Sequence, residues 1–522
     1  MKPFDASGAF KPVEDGGVLG LRVVAVRSAG ITTLSQGLKV VLQVVATIVL
    51  ARLLTPSEFG VMTMVTTFSL LFVNFGLNGF TEAVIQRESL DHELASSLFW
   101  VNTGICTCLT VVFAAGGPLM AWFYHDPRVT HVAQFTALTI FFTGSSVIHI
   151  ALLRRAMRFS AVAINEIVAQ VGSLIVTIVL AYFGWGYWAL VGGVVAVPFV
   201  TAVGAWIQCQ WIPGLPRLAP GTGPMVRFAL NIYGYFTVNY FSRNLDNLLV
   251  GSFFGSQALG FYKKAFDLAI FPIVQASAPL NAVAVPTLSR LTGDTERYSR
   301  YILRSLSILA LLGMGTGACL TLVGRDVIRV LLGSRWDEAG RIFMFFAPGI
   351  GAMFIYRAAG WLHLSMGSAN RFFRWGLIEF AVLATLFVLA LPWGPVGIGA
   401  VWGASCWILT IPALLYAPRP SELTIARMLG AVWQYIVASV LAAVLTAALL
   451  SRFAWQAPSN AAGDLLRILI TSSLFGVLYI AAIALFHGGW KPLLEIVVLA
   501  RDLMPKRGAG RATPAVASSV QS

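Results

Sequence analysis

The sequence predicts an all-α integral membrane protein: fourteen transmembrane helices, with two six-helix halves around a central cavity plus two C-terminal helices. Three observations lead there. Of the 522 residues, 57% are hydrophobic and only 11% charged, with a mean hydropathy of +0.79, whereas a soluble domain carries about 25% charged residues. Apolar stretches of ~18 or more residues recur along the whole chain, each long enough to cross roughly 30 Å of hydrocarbon as a helix. The period-two alternation of a membrane barrel is absent. Backbone groups in lipid must be satisfied within the segment, which leaves the helix.

The elements follow in order. Residues 1–30 open with MKPFDASGAFKPVEDGG, which is polar and lacks the apolar run of a cleaved leader; they are expected to form a cytoplasmic N-terminal segment. The first half, 31–212, holds spans near 32–54, 60–85, 94–116, 131–153, 161–183 and 188–211. The second half, 213–418, holds spans near 228–251, 259–287, 301–323, 342–364, 375–392 and 396–416. Two extra spans near 428–451 and 466–486 occupy 419–487. The connections are short, and none could fold as a separate domain. The tail, 488–522, is expected to be cytoplasmic. It contains WKPLLEIVVLARDLM, which reads as an interfacial helix, and a Gly/Ala/Ser segment expected to be disordered.

The formal charge is +14 and the pI about 9.9. Cytoplasmic loops of membrane proteins collect Lys and Arg, and no basic run with interleaved aromatics stands apart from the spans, so nucleic acid is not an expected partner. Placing both termini inside puts most Lys and Arg outside the spans on the cytoplasmic side, dominated by RRAMRF (Arg154, Arg155, Arg158) and by 290–304. The opposite side keeps Arg52, Arg128, the 325–341 loop, Arg452 and Arg467. The expected location is a membrane, with both termini cytoplasmic. The five cysteines all fall in apolar segments with no C-x-x-C pair, and the six histidines show no ligand spacing; neither metal nor cofactor is expected.

A weak repeat has an offset near 200. LARLLTPSEFG (50–60) aligns without gaps to VGSFFGSQALG (250–260), LLRRAMRF (152–159) resembles LHLSMGSANRF (362–372), and GWG (184–186) resembles PWG (392–394). Two halves in parallel topology explain the preserved order, and transporters often bind cargo between such halves.

In the seventh span Asn231, Tyr235, Asn239, Arg243 and Asn247 recur every fourth residue, with Asp246 beside them, so they share one helix face. At the repeat offset Asn239 aligns with Lys39 and Arg243 with Gln43, within a first-span stripe of Thr32, Ser35, Gln36, Lys39, Gln43 and Thr47. Lys263, Lys264 and Asp267 follow in the eighth span, and Arg357 lies in the tenth. Each charge facing lipid at mid-depth costs about 2.5–3.5 kcal/mol. These charges therefore line a cavity, pair with one another, or reach an interface. Pairing of Arg243 with Asp246 at i,i+3 and of Lys263 with Asp267 at i,i+4 is one reading; Lys263 and Lys264 reaching outward is another. The sum favours a cavity. Lys39, Arg243, Lys263, Lys264 and Arg357 outnumber Asp246 and Asp267 by three, and such an excess suits an anionic ligand. Glu166 and Glu379 are expected to pair with loop arginines, an ion-coupling role being the other reading. Pro272, Pro279 and Pro286 share one face of the eighth span and mark it either as a bending element or as a static kink.

SAGITTLSQGLKVVLQVVATIVLARLLTPSEFGVMTMV, followed by FGLNGFTEAVIQRE, resembles the N-terminal signature of polysaccharide flippases of the multidrug/oligosaccharidyl-lipid/polysaccharide exporter superfamily, in the colanic-acid and exopolysaccharide branch. The ARLLTPSEFG turn and the AVIQ closing the second helix carry the likeness most specifically. The resemblance implies a flippase that moves undecaprenyl-pyrophosphate-linked oligosaccharide repeat units across the inner membrane for exopolysaccharide or lipopolysaccharide biosynthesis. It implies membrane lipids, a polysaccharide polymerase and a chain-length regulator as partners. By matched position it gives the cargo-binding role to Lys39 and Arg243, then to Lys263 and Lys264, with Arg357 outside the motifs. Two rivals remain. An ion-coupled small-molecule exporter of the same superfamily would favour acidic cavities when its cargo is cationic. A polysaccharide polymerase or glycosyltransferase would need catalytic groups on an external loop, for which GRDVIRVLLGSRWDEAGR (324–341) is short.

Overall fold

The computed structural model describes residues 3–5, 8, 10, 17–77, 80–87, 90–217, 219–220, 222–420, 422–452 and 461–490. Within them the chain is helical almost throughout. In order the helices are α1 (Gly17–Leu53), α2 (Pro56–Leu77), α3 (Phe80–Gln86), α4 (His92–Ala115), α5 (Gly117–Tyr124), α6 (Arg128–Thr136), α7 (Leu138–Arg155), α8 (Phe159–Tyr182), α9 (Tyr187–Cys209), α10 (Thr222–Arg290), α11 (Thr295–Leu332), α12 (Asp337–Ser365), α13 (Ala369–Ala390), α14 (Gly394–Tyr416), α15 (Ile425–Gly430), α16 (Trp433–Arg452) and α17 (Ala461–Phe486).

Eleven helical stretches among the described residues are long and apolar enough to cross a membrane, or twelve when the broken pair Arg243–Ser277 and Leu280–Arg290 is included. The chain is a multi-pass membrane protein, and the count departs from the expected fourteen. One stretch, Ala369–Tyr416, contains both α13 and α14. The 69 residues of α10 likewise break at Gly255, whose φ of 79° and ψ of −178° no helix contains. A straight helix of that length would run about 100 Å, far beyond a bilayer core, and a positive φ is available to Gly without strain. The broken pair is interrupted at Pro279, whereas Pro272 and Pro286 interrupt nothing.

The fourth span stays one stretch, Arg128–Arg155, in which α6 and α7 meet at Ala137. Another expectation shifts. The loop expected over 324–341 is not a loop. α11 continues to Leu332, the chain turns at Gly333 with φ 98°, one 3-10 turn covers Ser334–Trp336, and α12 starts at Asp337. Arg325 and Arg329 both hold the Asp337 carboxylate, at 2.6 and 2.8 Å, which fastens the two helix ends together. Near the N-terminus, Phe4 is buried against His92 and Trp211. The side chains of Thr32, Asn231, Tyr235 and Asn239, and the expected tail helix, lie outside the described residues.

The LTPSE turn has a local cause. Pro56 opens α2, where its missing N–H costs nothing, and the Glu58 carboxylate accepts from both the Thr55 amide at 2.6 Å and the Thr55 hydroxyl at 2.9 Å. This is the back-reaching arm of a capping box. Gly60 then lets α2 meet α10 backbone to backbone: a Cβ there would sit 1.7 Å from the Ser256 carbonyl oxygen. Gly260 does the same in return, since its Cβ would sit 1.9 Å from the Pro56 carbonyl oxygen.

Candidate functional site

That glycine contact is one wall of a tightly packed end of the bundle. Ser57 and Ser256 face each other at 3.1 Å, and the Arg128 guanidinium donates to both hydroxyls, at 3.2 and 3.0 Å. Asp126 holds Arg128 at 2.7 Å. Trp336 is fully buried there, edge-on to Phe59, and donates its indole N–H to the Ala51 carbonyl at 2.9 Å. Arg52 donates to the Val330 carbonyl at 2.9 Å. Five helices, α1, α2, α6, α10 and α11, are tied together at this one level.

Two cavities hold sequence-predicted residues, and the second reaches Leu50, one residue from Ala51 of this end. The first, about 370 Å³, is lined by Arg243, Asp246, Tyr356, Arg357 and Glu379, with Phe266, Phe372 and Trp402 among its apolar walls. The helices α10, α12, α13 and α14 build it. Its carboxylates are occupied. Asp246 is buried and accepts the Tyr262 hydroxyl at 2.9 Å and the Asn247 amide at 2.8 Å. Glu379 accepts the Tyr356 hydroxyl at 2.7 Å, and the Trp375 indole donates to that same hydroxyl at 2.8 Å. The cations are not occupied. Arg243 is exposed to the cavity, and neither it nor Arg357 makes a hydrogen bond or ion pair among the described residues. The Nε of Arg357 is buried without a partner. Each guanidinium lies within the field of the other, and Glu379 within that of Arg243.

The second cavity, about 660 Å³, is built from α1, α8 and α10 and is lined by Lys39, Gln43 and Lys264. Val274 lines both cavities, so they adjoin. Lys39 is ion-paired to Glu166, which also has Arg154 at 3.8 Å. The pair is not sealed: the Lys39 and Glu166 side chains remain 22% and 35% exposed. Lys264 lies over the Phe59 ring, 4.1 Å from its centroid.

The predicted residues therefore separate into groups. Arg243, Asp246 and Arg357 share one cavity; Lys39, Gln43 and Lys264 share its neighbour. Lys263 and Asp267 pair with each other at 2.5 Å and line neither. Three readings change. Arg243 does not pair with Asp246, because Asp246 faces Tyr262 across the Gly255 turn. Glu379 is held by Tyr356 rather than by a loop arginine. Glu166 meets Lys39 as well as Arg154, so the cationic excess is smaller than the sequence sum, and the cations left without an ion pair among the described residues are Arg243, Arg357 and Lys264. Tyr356 went unnoticed in the sequence; its one signal was adjacency to Arg357.

Residues 49–341, more than half of the chain, match the family described as polysaccharide biosynthesis protein. The chain is 23% identical over 508 residues to the succinoglycan biosynthesis transport protein ExoT of Rhizobium meliloti (strain 1021), covering 94% of this chain and 98% of that protein. It is 21% identical over 323 residues to the lipopolysaccharide biosynthesis protein WzxC of Escherichia coli (strain K12), covering 61% of this chain and 65% of that protein. Among solved structures, the lipid II flippase MurJ in an inward closed conformation is similar with a TM-score of 0.70 at 14% identity, over 90% of this chain and 100% of that one. An inward-facing multidrug resistance MATE family transporter of the MOP superfamily is similar with a TM-score of 0.59 at 12% identity, over 72% of this chain and 93% of that one. At these identities the two structures share the fold.

Proposed function

Because the chain belongs to the polysaccharide biosynthesis protein family, we propose that it is a flippase. Its cargo in this reading is an undecaprenyl-pyrophosphate-linked oligosaccharide, moved from the cytoplasmic to the periplasmic leaflet of a bacterial inner membrane. The observation that carries the proposal is Arg243 with Arg357: two guanidinium groups without partners among the described residues, in one aromatic-walled cavity whose carboxylates are already engaged by tyrosines. Guanidinium forks match phosphate oxygens in pairs, and the attraction strengthens as water is excluded.

The rest of the cycle follows from the packed end. In this reading residues 51–60, 128 and 250–260 form the periplasmic gate, closed here, and cargo enters from the other side. The reciprocal Gly60–Ser256 and Gly260–Pro56 contacts are related by the repeat offset, which supports two halves about an axis through the gate. Counting α13 and α14 separately, and each side of Gly255 in α10, supports fourteen passes with both termini inside. The polymerase alternative loses its external loop, since 324–341 is helical and Asp337 is held by two arginines.

The test is polysaccharide export in cells depending on this protein. Arg243→Glu and Arg357→Glu are each expected to reduce export at least ~100-fold, as for loss of a desolvated charge-pair contact of ~3 kcal/mol, while a Ser334→Cys reporter in the same variants labels from the periplasm and certifies insertion. Normal export from either charge reversal contradicts the site.

A further inference from the structure

We propose that the second cavity is a separate glycan subsite that takes the acidic oligosaccharide of the cargo, an inference that rests on the flippase reading and assigns the sugar to a place other than the arginine cavity. Four glutamine side chains carry it. Gln36 and Gln43 on α1, Gln170 on α8 and Gln275 on α10 all line this one cavity and are exposed in it. None of the four amides makes a hydrogen bond among the described residues. An amide in an apolar slab is costly to leave unsatisfied, so four converging from three helices mark a space that holds hydroxyl-bearing material.

The chemistry and the shape agree. Each amide offers donors and an acceptor together, as neighbouring hydroxyls of a sugar ring do. Gln36 and Gln43 are two turns apart on one face of α1, and Lys264 and Gln275 share one face of α10 about 16 Å apart by helix rise. The polar lining thus runs further than a single sugar ring. Ser173, whose hydroxyl donates to the Gly193 carbonyl at 2.8 Å, adds an acceptor to the same wall. The charge selects acidic sugars over neutral ones. Lys39 is balanced by Glu166, with Arg154 beside it, whereas Lys264 has no ion pair among the described residues. Since Val274 borders both cavities, a cargo with its pyrophosphate on Arg243 and Arg357 extends its glycan directly past Val274 into the amides.

Binding to the purified full-length protein in lipid nanodiscs tests this with three soluble probes: a glucuronic-acid oligosaccharide, a glucose oligosaccharide of equal length, and inorganic pyrophosphate. The acidic oligosaccharide is expected to bind about tenfold more tightly than the neutral one, and Gln170→Leu and Gln275→Leu each to weaken it about tenfold while pyrophosphate affinity stays within about twofold. Gln170→Glu, nearly isosteric, is expected to weaken the acidic probe more than the neutral one. Oligosaccharide affinity unchanged in all three variants, or absent in the parent protein, overturns the subsite and leaves the cavity to water. Pyrophosphate affinity unchanged in Arg357→Ala, with the glutamine effects intact, overturns the arginine assignment alone.

Discussion

At the scale of single side chains, engagement sorts the cations. Lys39 meets Glu166 and Lys263 meets Asp267, whereas Arg243 and Arg357 share a cavity with Asp246 and Glu379 but make no ion pair or hydrogen bond among the described residues. A cation already paired must break that pair before it can hold a phosphate, so the unengaged arginines have the larger differential to offer. Asp126 shows the opposite case, a carboxylate engaged by Arg128 at the tied end. Burial pushes its carboxyl up, but hydrogen bonds from Arg128, the Arg128 charge and the Ser256 hydroxyl outweigh this and hold it below the usual carboxylate range. A carboxylate held low in the folded state adds stability above its unfolded value, and that contribution vanishes as pH falls through the folded one. Arg128 is partly exposed, so the contribution is at most ~1 kcal/mol. Thermal unfolding of the parent is therefore expected to lose its advantage over Asp126→Asn below about pH 4, with the difference present at pH 6 to 8; an equal gap at every pH removes Asp126 from the seal. Lys263 with Asp267 was legible in the sequence because helical spacing alone decides an i,i+4 pair. Asp246 with Tyr262 was not, because it depends on how the chain turns at Gly255. Arg128 read only as a marker of topology, since its partners Ser57 and Ser256 come from distant segments.

At the scale of elements, the proposed gate is a helix crossing that only glycine permits. Gly60 and Gly260 each lie on the other segment's carbonyl oxygen, so α2 and α10 approach at backbone distance. A side chain at Gly60 has to displace backbone, at a cost of about 1–3 kcal/mol or more. With the native cysteines replaced, Ser57→Cys/Ser256→Cys is expected to cross-link readily, since the two hydroxyls are 3.1 Å apart, and to halt transport until a reductant is added. Gly60→Val in that background is expected to lower the cross-linked fraction severalfold; equal cross-linking means that the crossing does not depend on the glycine. The alignment of LARLLTPSEFG with VGSFFGSQALG exposed the repeat, and the Thr55–Glu58 cap is written in the same letters. The mutual contact of the two aligned segments was not legible, because an alignment gives equivalence and says nothing of which surfaces touch. Apolar length also failed at one helix end: the ninth span was read to stop near 323, whereas α11 continues to Leu332 past its apolar stretch.

At the scale of the whole molecule, one tied end and two adjoining cavities supply the frame that the proposed alternating-access cycle requires. The composition made the membrane class plain, and the ARLLTPSEFG resemblance pointed to the family to which the chain belongs. The division of the polar interior into an arginine cavity and an amide cavity was hidden, because a helical wheel assigns a residue to a face and not to a neighbour across the bundle. Arg357 came from the sum of charges alone, and the structure puts it beside Arg243. Translocation in proteoliposomes tests the central claim most directly. An undecaprenyl-pyrophosphate oligosaccharide, loaded in one leaflet and followed by its access to an external glycan-cleaving enzyme, is expected to cross with the parent protein and to stay in place with the Arg243→Glu/Arg357→Glu variant. Equal crossing with both proteins, or no crossing by a correctly folded parent, contradicts the account.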